Sequence, residues 1–400
     1  MNLMVYEDDR GPMPVIIKIV GIGGGGTNAI NRMIDSNLSG VEFVVVNTDL
    51  QDLLQKSRAA VKIQIGKETT RGRGAGGNPQ KGEAAAEEDA ETIREHIRDA
   101  DMVFITAGMG GGTGTGAAPV IAQIAKKQGI LTVAIVTTPF DFEGTYKMDL
   151  AEKGIAELRK SVDTLIVIPN QQLYSLVDRK TPLLESYRKA DEVLCEGVRG
   201  ISDLITKTGI VNIDFADVES TMKDQGDALL GIGIGTGENR AVEAAEKAIK
   251  NPLLVKTSMA GATHLLINFL CDKALSLVDV QDAVKIIGQN ADPNVNIIHG
   301  ITLSEDMGDN LLITVVATGL KSRGMVDGTA SESVKPKETD FIDMNEWQRI
   351  RDSGAAKQGD FLSRRGGSYS TEDDLEVPAI VRKTPKDPLP GPDLFDAKGL

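Results

Sequence analysis

The amino-acid sequence predicts an α/β fold: a doubly wound parallel-sheet domain is joined by a long central helix to a smaller α+β domain, and a disordered C-terminal tail follows. Three observations support this prediction. Short apolar runs alternate with helical patterns over residues 14–180, and helical spacing then continues over residues 181–209. Four strand-like runs and two helical patterns fill residues 210–320, and the chain is polar beyond them.

The apolar runs of the first domain are continuous rather than alternating, as in strands that are buried on both faces. Right-handed crossovers place the C-terminal ends of such strands at one sheet edge, where open α/β sheets bind ligands. The predicted strands are residues 15–20, 41–49, 61–65, 101–107, 130–138 and 163–169.

The remaining elements follow the same reasoning. Residues 79–100 predict one helix that begins with a proline, and residues 117–129 predict a helix closed by Gly129. We expect residues 1–13 to form a flexible N-terminus, 321–372 a disordered linker and 373–400 a tail. In the smaller domain the predicted strands are residues 228–237, 264–271, 294–303 and 310–319, with helices around 238–250 and 276–290.

Composition limits the classes of function. A formal net charge of −14 opposes binding to nucleic acid or to anionic membrane, because the long-range field repels both. No apolar run approaches the ~18 residues that span a bilayer, and the N-terminus lacks a signal-peptide pattern. The two cysteines show no disulfide framework, which favours a reducing cytoplasm. The two cysteines and three histidines show no zinc-site spacing, so we expect no metal held by protein side chains alone.

Two glycine-rich stretches follow predicted strands and open onto predicted helices. GIGGGGTNA matches G-x-G-x-x-G from Gly21, and GMGGGTGTG begins at Gly108. The first pattern alone is typical of a dinucleotide site, with Asp49 placed to bind a ribose. Two loops at one edge instead favour a longer phosphate chain bound at helix N-termini. We interpret the glycines as leaving room for phosphate oxygens; the alternative is that they serve tight turns only.

Neither loop matches the P-loop pattern G-x-x-x-x-G-K-[ST], and no lysine follows either glycine cluster. Main-chain dipoles and Mg²⁺ are therefore expected to balance the phosphate charge, since Mg²⁺ keeps waters and takes phosphates as ligands. Thr113 and Thr115 add hydroxyl donors without bulk.

The stretch NIDFADVE follows the central helix and carries Asn212, Asp214, Asp217 and Glu219. Acids beside an amide can position a water or a metal ion for phosphate hydrolysis. On spacing alone, a different interpretation is favoured, in which Asp217 caps the helix that begins at the next residue.

Taken together, GIGGGGTNA, VVVNTD, GGGTGTGAAPV, DFEG and NIDFADV resemble the FtsZ family of bacterial, tubulin-like cell-division GTPases over about residues 14–320. The resemblance implies a GTP-binding first domain, use of GTP or GDP with Mg²⁺, and GTP hydrolysis activated by polymerisation. It further implies head-to-tail filaments of the division ring and a cytoplasmic location at mid-cell.

The resemblance also implies residue roles. The glycine loops would bind the phosphates, and Glu143 would hold the ribose with Lys147 assisting. Tyr187 would stack near the guanine and Asp191 would accept from its N1 and N2 donors, with Asn170 nearby. The implied catalytic residues are Asn212, Asp214 and Asp217. The implied GTP-binding residues are Gly24, Gly25, Gly26, Thr27, Asn28, Gly110, Gly111, Gly112, Thr113, Gly114, Thr115, Glu143, Lys147, Asn170, Tyr187 and Asp191.

Three features depart from the family pattern. Thr27 stands where glycine or serine is common, Lys147 replaces an arginine, and 17 residues follow Lys383. The apolar island between Leu375 and Lys383, LEVPAIVRK, matches the family's tail peptide. It is expected to bind membrane-tethering and regulatory division proteins; residual hydrophobicity in a tail is the alternative.

The length of the central helix then indicates a role for the acidic stretch. If the base lies at the start of the central helix, Asp214 and Asp217 follow its other end, roughly 30 Å away at 1.5 Å per residue. They would serve the nucleotide of another copy stacked head to tail, and such contacts produce filaments. The alternatives are a nicotinamide-dependent oxidoreductase and a scaffold that holds nucleotide without hydrolysing it.

Overall fold

The computed structural model describes residues 15–176, 181–207, 209–251, 259–273, 275–304 and 307–320. The predicted flexible N-terminus, the linker 321–372 and the tail 373–400 lie outside these residues. Within the described ranges, no helix is long and apolar enough to cross a membrane.

The described residues form ten strands and eleven α-helices. The strands are β1 (Ile17–Ile22), β2 (Glu42–Asn47), β3 (Val61–Gln64), β4 (Met102–Gly108), β5 (Leu131–Thr138), β6 (Thr164–Pro169), β7 (Gly226–Thr236), β8 (His264–Cys271), β9 (Asn296–Leu303) and β10 (Asn310–Thr318). The helices are α1 (Gly23–Asp35), α2 (Leu50–Gln55), α3 (Lys67–Thr70), α4 (Pro79–Glu88), α5 (Ala90–Ile97), α6 (Thr113–Lys127), α7 (Thr145–Ser161), α8 (Leu183–Thr206), α9 (Phe215–Met222), α10 (Arg240–Ile249) and α11 (Leu277–Gly288).

The strands form one sheet in the order β3-β2-β1-β4-β5-β6-β7-β10-β8-β9. Neighbours from β3 to β7 are parallel, which confirms the predicted doubly wound parallel sheet. β10 is antiparallel to β7 and to β8, and β9 is parallel to β8. The strands of the smaller domain therefore continue the first sheet, through pairing of residues 164–166 with residues 226–228.

Helices cover both faces of the parallel strands. One buried cluster joins the sheet to α1, α8 and α9 and includes Met33 and Val198; the other joins it to α4–α7 and includes Ile121 and Leu158. Strands that lie between two helical layers have no solvent face, which explains the uninterrupted apolar runs of the sequence.

The predicted helix over residues 79–100 is wrong in one respect, because it is two helices that meet at Asp89. Asp89 has φ −106° and ψ 21°, outside the helical region, and its carboxylate accepts a hydrogen bond from the Gly66 amide at 2.7 Å. Helical spacing does not reveal this long-range bond. This hydrogen bond holds Asp89 outside the helical conformation and so ends the first helix, while the apolar face continues along the second helix.

Candidate functional site

The two glycine loops lie at the C-terminal ends of neighbouring parallel strands and touch each other. The first runs from β1 into α1, and the second connects β4 to α6. A Cβ on Gly25 would lie 3.0 Å from the Gly108 nitrogen, and one on Gly23 would lie 3.1 Å from the Gly114 nitrogen. The loops therefore form one surface, as the sequence predicted.

Six glycines of these two stretches are required by protein packing, since a Cβ would lie less than 3.0 Å from a protein atom at Gly21, Gly26, Gly110, Gly112, Gly114 and Gly116. A Cβ would meet the Thr106 oxygen at 2.7 Å from Gly26 and the Gly108 oxygen at 2.7 Å from Gly114. At Gly110, which has φ +95°, it would meet the Lys147 oxygen at 2.8 Å, and at Gly112 the Asn78 nitrogen at 2.9 Å. At these six positions protein atoms already exclude a side chain, so the glycines are needed whether or not phosphate approaches them.

Two other glycines face open space. A Cβ on Gly111 would have no atom within 4 Å, and one on Gly24 would meet only an Asp52 carboxylate oxygen at 3.9 Å. Both residues are exposed, and each lies at the N-terminal end of a helix, where main-chain amides lack intrahelical acceptors. Gly24 and Gly111 are thus the positions where a ligand can approach the backbone directly.

Hydroxyl groups hold the loops in shape. Thr27 is buried and donates to the Gly23 oxygen at 2.9 Å, while Thr115 accepts from the Gly110 amide at 2.9 Å. The Gly110 amide is thereby engaged within the protein. Half-buried Thr113, at the start of α6, lies 2.6 Å from the Thr48 hydroxyl, and Asn28 is exposed on α1.

A third glycine-rich segment, residues 71–77, borders the second loop and was missed by sequence reasoning. A Cβ on Gly112 would lie 2.8 Å from the Ala75 Cβ. Gly76 and Gly77 have positive φ and no atom within 4 Å of a Cβ position. The many glycines of RGRGAGG could have indicated this segment in the sequence. The segment follows α3 rather than a strand, however, so the strand–loop–helix pattern did not include it.

The predicted ribose and base residues lie together beyond the end of β5. Glu143 accepts from the Phe140 amide at 3.1 Å and forms an ion pair with Lys147 at 3.0 Å. The Tyr187 ring meets Phe140 edge-on, with centroids 5.4 Å apart. Burial raises the pKa of Tyr187, and neighbouring Glu143 raises it further.

Two side chains of the predicted base site keep unused hydrogen-bonding capacity. Burial raises the pKa of Asp191 to about 7, against the opposing charge of Arg32. Asn170, at the end of β6, is buried, and its Oδ1 has no partner among the described residues. A planar base with several polar edges would satisfy both groups.

The acidic stretch lies at the start of α9 and is exposed. Asn212 accepts from the Gly209 amide at 2.7 Å, whereas the carboxylates of Asp214 and Asp217 accept no bond within the described part of the chain. Asp214, rather than Asp217, occupies the N-cap position, and its side chain makes no capping bond. The interpretation of Asp217 as a helix cap is therefore wrong.

α8 separates the acidic stretch from the glycine loops. Its first turns bring Tyr187 against Phe140, and its last turn packs Leu204 with Ile213 around Gly300, Ile213 lying 3.1 Å from a Cβ position there. From Tyr187 to Leu204 the helix rises about 25 Å. The structure thus assembles the predicted nucleotide-binding residues at one end of α8, and leaves the predicted catalytic residues at the other.

Comparison with known proteins agrees with this arrangement. Residues 16–178 match the GTPase domain of the Tubulin/FtsZ family, and residues 226–321 match the C-terminal domain of the FtsZ family. An empty FtsZ dimer structure from M. jannaschii shares 46% identity at a TM-score of 0.74, covering 78% of this chain and 90% of that one.

More distant structures share the fold. The GDP-bound CetZ1 monomer from Haloferax volcanii is 20% identical at a TM-score of 0.67, covering 77% of this chain and 95% of that one. The CetZ2 protofilament structure with GTPgS from the same organism is 18% identical at a TM-score of 0.64, covering 86% and 100%.

These matches overturn the oxidoreductase alternative, in which Asp49 would bind a ribose. The Asp49 side chain instead caps α2 by accepting from the Asp52 amide at 3.1 Å. The matched domains agree with the resemblance found in the sequence. The chain is a GTPase that belongs to the tubulin/FtsZ family.

Proposed function

We propose that this GTPase assembles head to tail into filaments and hydrolyses GTP at the contact between two copies. The observation that carries the proposal is the length of α8. It puts about 25 Å between Tyr187 and Leu204, the residue that packs with Ile213 of the acidic stretch. No side chain spans that distance. Asp214 and Asp217 can therefore act only on a nucleotide bound by another copy.

In the proposed binding mode, the triphosphate lies against the amides at Gly24 and Gly111, at the N-termini of α1 and α6. Glu143 accepts from the ribose hydroxyls, and Lys147 orients this carboxylate. Ionised Asp191 accepts from the N1 and N2 donors of guanine beside Tyr187, and the unpartnered Asn170 oxygen accepts a further bond.

Mg²⁺ fits this site as a phosphate-bound ion. The described residues contain no group of three or more His, Cys, Asp or Glu side chains that could hold a metal ion by themselves. Oxygen atoms of the phosphates and waters would be its main ligands, as is usual for this ion. When bound, Mg²⁺ neutralises charge on the phosphates.

The catalytic role falls to the exposed acids of the next copy. Asp214 and Asp217 orient and polarise the water that attacks the γ-phosphate, and Asn212 holds the turn that presents them. Helix N-termini stabilise the charge that develops on the phosphate oxygens. Hydrolysis then weakens the contact that created the site, because the terminal phosphate is part of it.

Each copy offers two different surfaces in this contact, the glycine loops and the acidic stretch. Such heterologous contacts do not close into a dimer and generate filaments when repeated. Support for self-association comes from the M. jannaschii FtsZ relative, whose structure is that of a dimer.

The cellular proposal is that these filaments form the division ring at mid-cell in the cytoplasm. The segment between Leu375 and Lys383, outside the described residues, would bind membrane-tethering and regulatory division proteins. A chain ending at Glu372 should polymerise normally and lose recruitment to the membrane. Normal recruitment of that truncation would refute the assignment.

The decisive test of assembly-dependent hydrolysis is phosphate release per molecule as a function of protein concentration. We expect little turnover below a threshold concentration and a steep rise above it, together with pelleting in GTP but not in GDP. Turnover per molecule that stays constant from dilute to concentrated protein would contradict the proposal. A scaffold with a merely structural nucleotide would release no phosphate at any concentration.

A further inference from the structure

Arg73 lies in the glycine-rich segment 71–77, which main-chain bonds fix to the residues that follow β2. The Leu50 amide donates to the Gly72 oxygen at 3.1 Å, and the Gly74 amide donates to the Thr48 oxygen at 3.3 Å. Arg73 itself pairs with Asp49 in an antiparallel bridge. Its backbone is therefore held in place.

The Arg73 side chain is exposed, whereas a side chain at Gly72 or Gly74 would face the protein. A Cβ on Gly72 would lie 3.2 Å from the Leu50 Cβ, and one on Gly74 would lie 3.7 Å from the Asp49 Cβ. Six other arginines form ion pairs, whereas the Arg73 guanidinium has no partner among the described residues. A fixed backbone thus carries an unpaired cation.

The acids near Arg73 are already engaged. Asp49 caps α2, and Asp52 forms an ion pair with Lys56 at 2.6 Å and accepts from the Asn47 amide group at 2.9 Å. No lysine or arginine occurs within either glycine loop. Arg73 is therefore a free positive charge in a region that contains many amide donors and few cations.

The segment also lies on a defined side of the second glycine loop. Gly110 borders Pro139 and Lys147, next to the proposed ribose site, whereas Gly112 borders Ala75 and Asn78 of the segment and its end. A nucleotide that extends from the base site across Gly111 would point its last phosphate toward residues 71–77.

We propose that Arg73 binds the terminal phosphate of GTP within the same subunit, and so distinguishes the triphosphate from the diphosphate. A guanidinium presents paired donors that match phosphate oxygens, and the absence of a P-loop lysine leaves that role open. This inference rests on the proposed placement of the nucleotide across the glycine loops.

The test compares GTP and GDP affinity in protein diluted below its assembly threshold, by competition with a fluorescent nucleotide. Arg73→Gln should weaken GTP binding by about ten- to a hundredfold, the scale of one charge-assisted contact. GDP binding should change by less than about threefold. Arg73→Lys, which keeps the charge and loses the fork, should fall between.

Arg98→Gln is the matched control, because Arg98 is exposed, outside the ion pairs of the described residues, and next to the Lys18–Asp99 pair rather than to the glycine loops. It should leave both affinities unchanged. Thermal unfolding of each variant checks that the fold is intact.

Equal weakening of GTP and GDP, or an equal effect of Arg98→Gln, would overturn the proposal. So would unchanged affinities with a raised assembly threshold, which would assign Arg73 to the contact between copies. Because all binding is measured in unassembled protein, failure here is distinguishable from failure of assembly-dependent hydrolysis, which concerns concentrated protein only.

Discussion

The two glycine loops, which together form the glycine edge of the sheet, and the acidic stretch are built in opposite ways. At the glycine edge, backbone packs on backbone and the hydroxyls of Thr27 and Thr115 are engaged within the protein. In the acidic stretch, the carboxylates of Asp214 and Asp217 are exposed and accept no bond from described residues. One region is packed into a fixed shape, whereas the other presents charges that have no partner among the described residues of their own subunit.

In the proposed mechanism, this difference explains why the two regions need each other. A preorganised loop binds phosphates at low entropic cost, but its amides stabilise charge and do not position water. Exposed carboxylates can position water, but they need a phosphate brought to them. Binding and hydrolysis are therefore separable, and variants of each region should fail in different assays.

The largest expected effect is at the acidic stretch. Asp217→Ala should lower GTP turnover about a hundredfold or more, the usual scale for one positioned catalytic group, while GTP binding and pelleting persist. Glu219→Gln is the matched control, because Glu219 is already paired with Lys223 at 2.6 Å. Full turnover in Asp217→Ala would remove the acidic stretch from the mechanism.

At the glycine edge, adjacent glycines should separate binding from folding. Gly111→Val should weaken GTP binding at least tenfold without lowering the Tm, because its side chain enters open space next to the proposed phosphate site. Gly112→Ala should lower the Tm instead, because its Cβ would meet Ala75 and Asn78. Calorimetry and nucleotide titration would distinguish the two, and equal behaviour of the variants would contradict the division between open and packed glycines.

A pH dependence should appear in binding. With a pKa of about 7, ligand-free Asp191 is protonated below that pH, so guanine binding in the proposed mode must release a proton there. GTP affinity should fall by up to about tenfold per pH unit below 7 and be flat above about 8. Asp191→Asn should lose this dependence; its survival in that variant would assign the titration elsewhere.

The same shift has a consequence for stability. Because the folded pKa of Asp191 lies above the ordinary 3.8, protonation stabilises the ligand-free fold. That stabilisation is complete below the unfolded value and is lost as the pH rises through about 7. Between about pH 5 and about pH 8, the Tm of ligand-free Asp191→Asn should therefore decline less than the Tm of the parent protein.

The smallest expected effect is at Lys147. Its ion pair with Glu143 is half-exposed on the lysine side, so Lys147→Ala should cost no more than about 1 kcal/mol of nucleotide binding. Competition titration at low and high salt checks this, since screening should shrink the difference. A loss well beyond that figure would mean that Lys147 contacts the nucleotide itself.

The sequence predicted the strands closely because continuous apolar runs leave few other options for segments such as β4 and β5. It did not separate Gly111 from Gly112, because the difference depends on Ala75 and Asn78, which are distant along the chain. The hydrogen bond that the Gly66 amide donates to Asp89 was hidden for the same reason. Local patterns encode elements, whereas the contacts that decide a residue's role are made between them.

The most direct test of the shared site is to mix two impaired variants. Asp217→Ala keeps the glycine edge, and Gly111→Val keeps the acids, so random stacking places an intact nucleotide side against intact acids at about one contact in four. The account predicts that an equimolar mixture hydrolyses GTP faster than either variant alone, approaching about a quarter of the parent rate. A mixture no faster than the mean of its two components, in filaments shown to contain both, would contradict hydrolysis between copies.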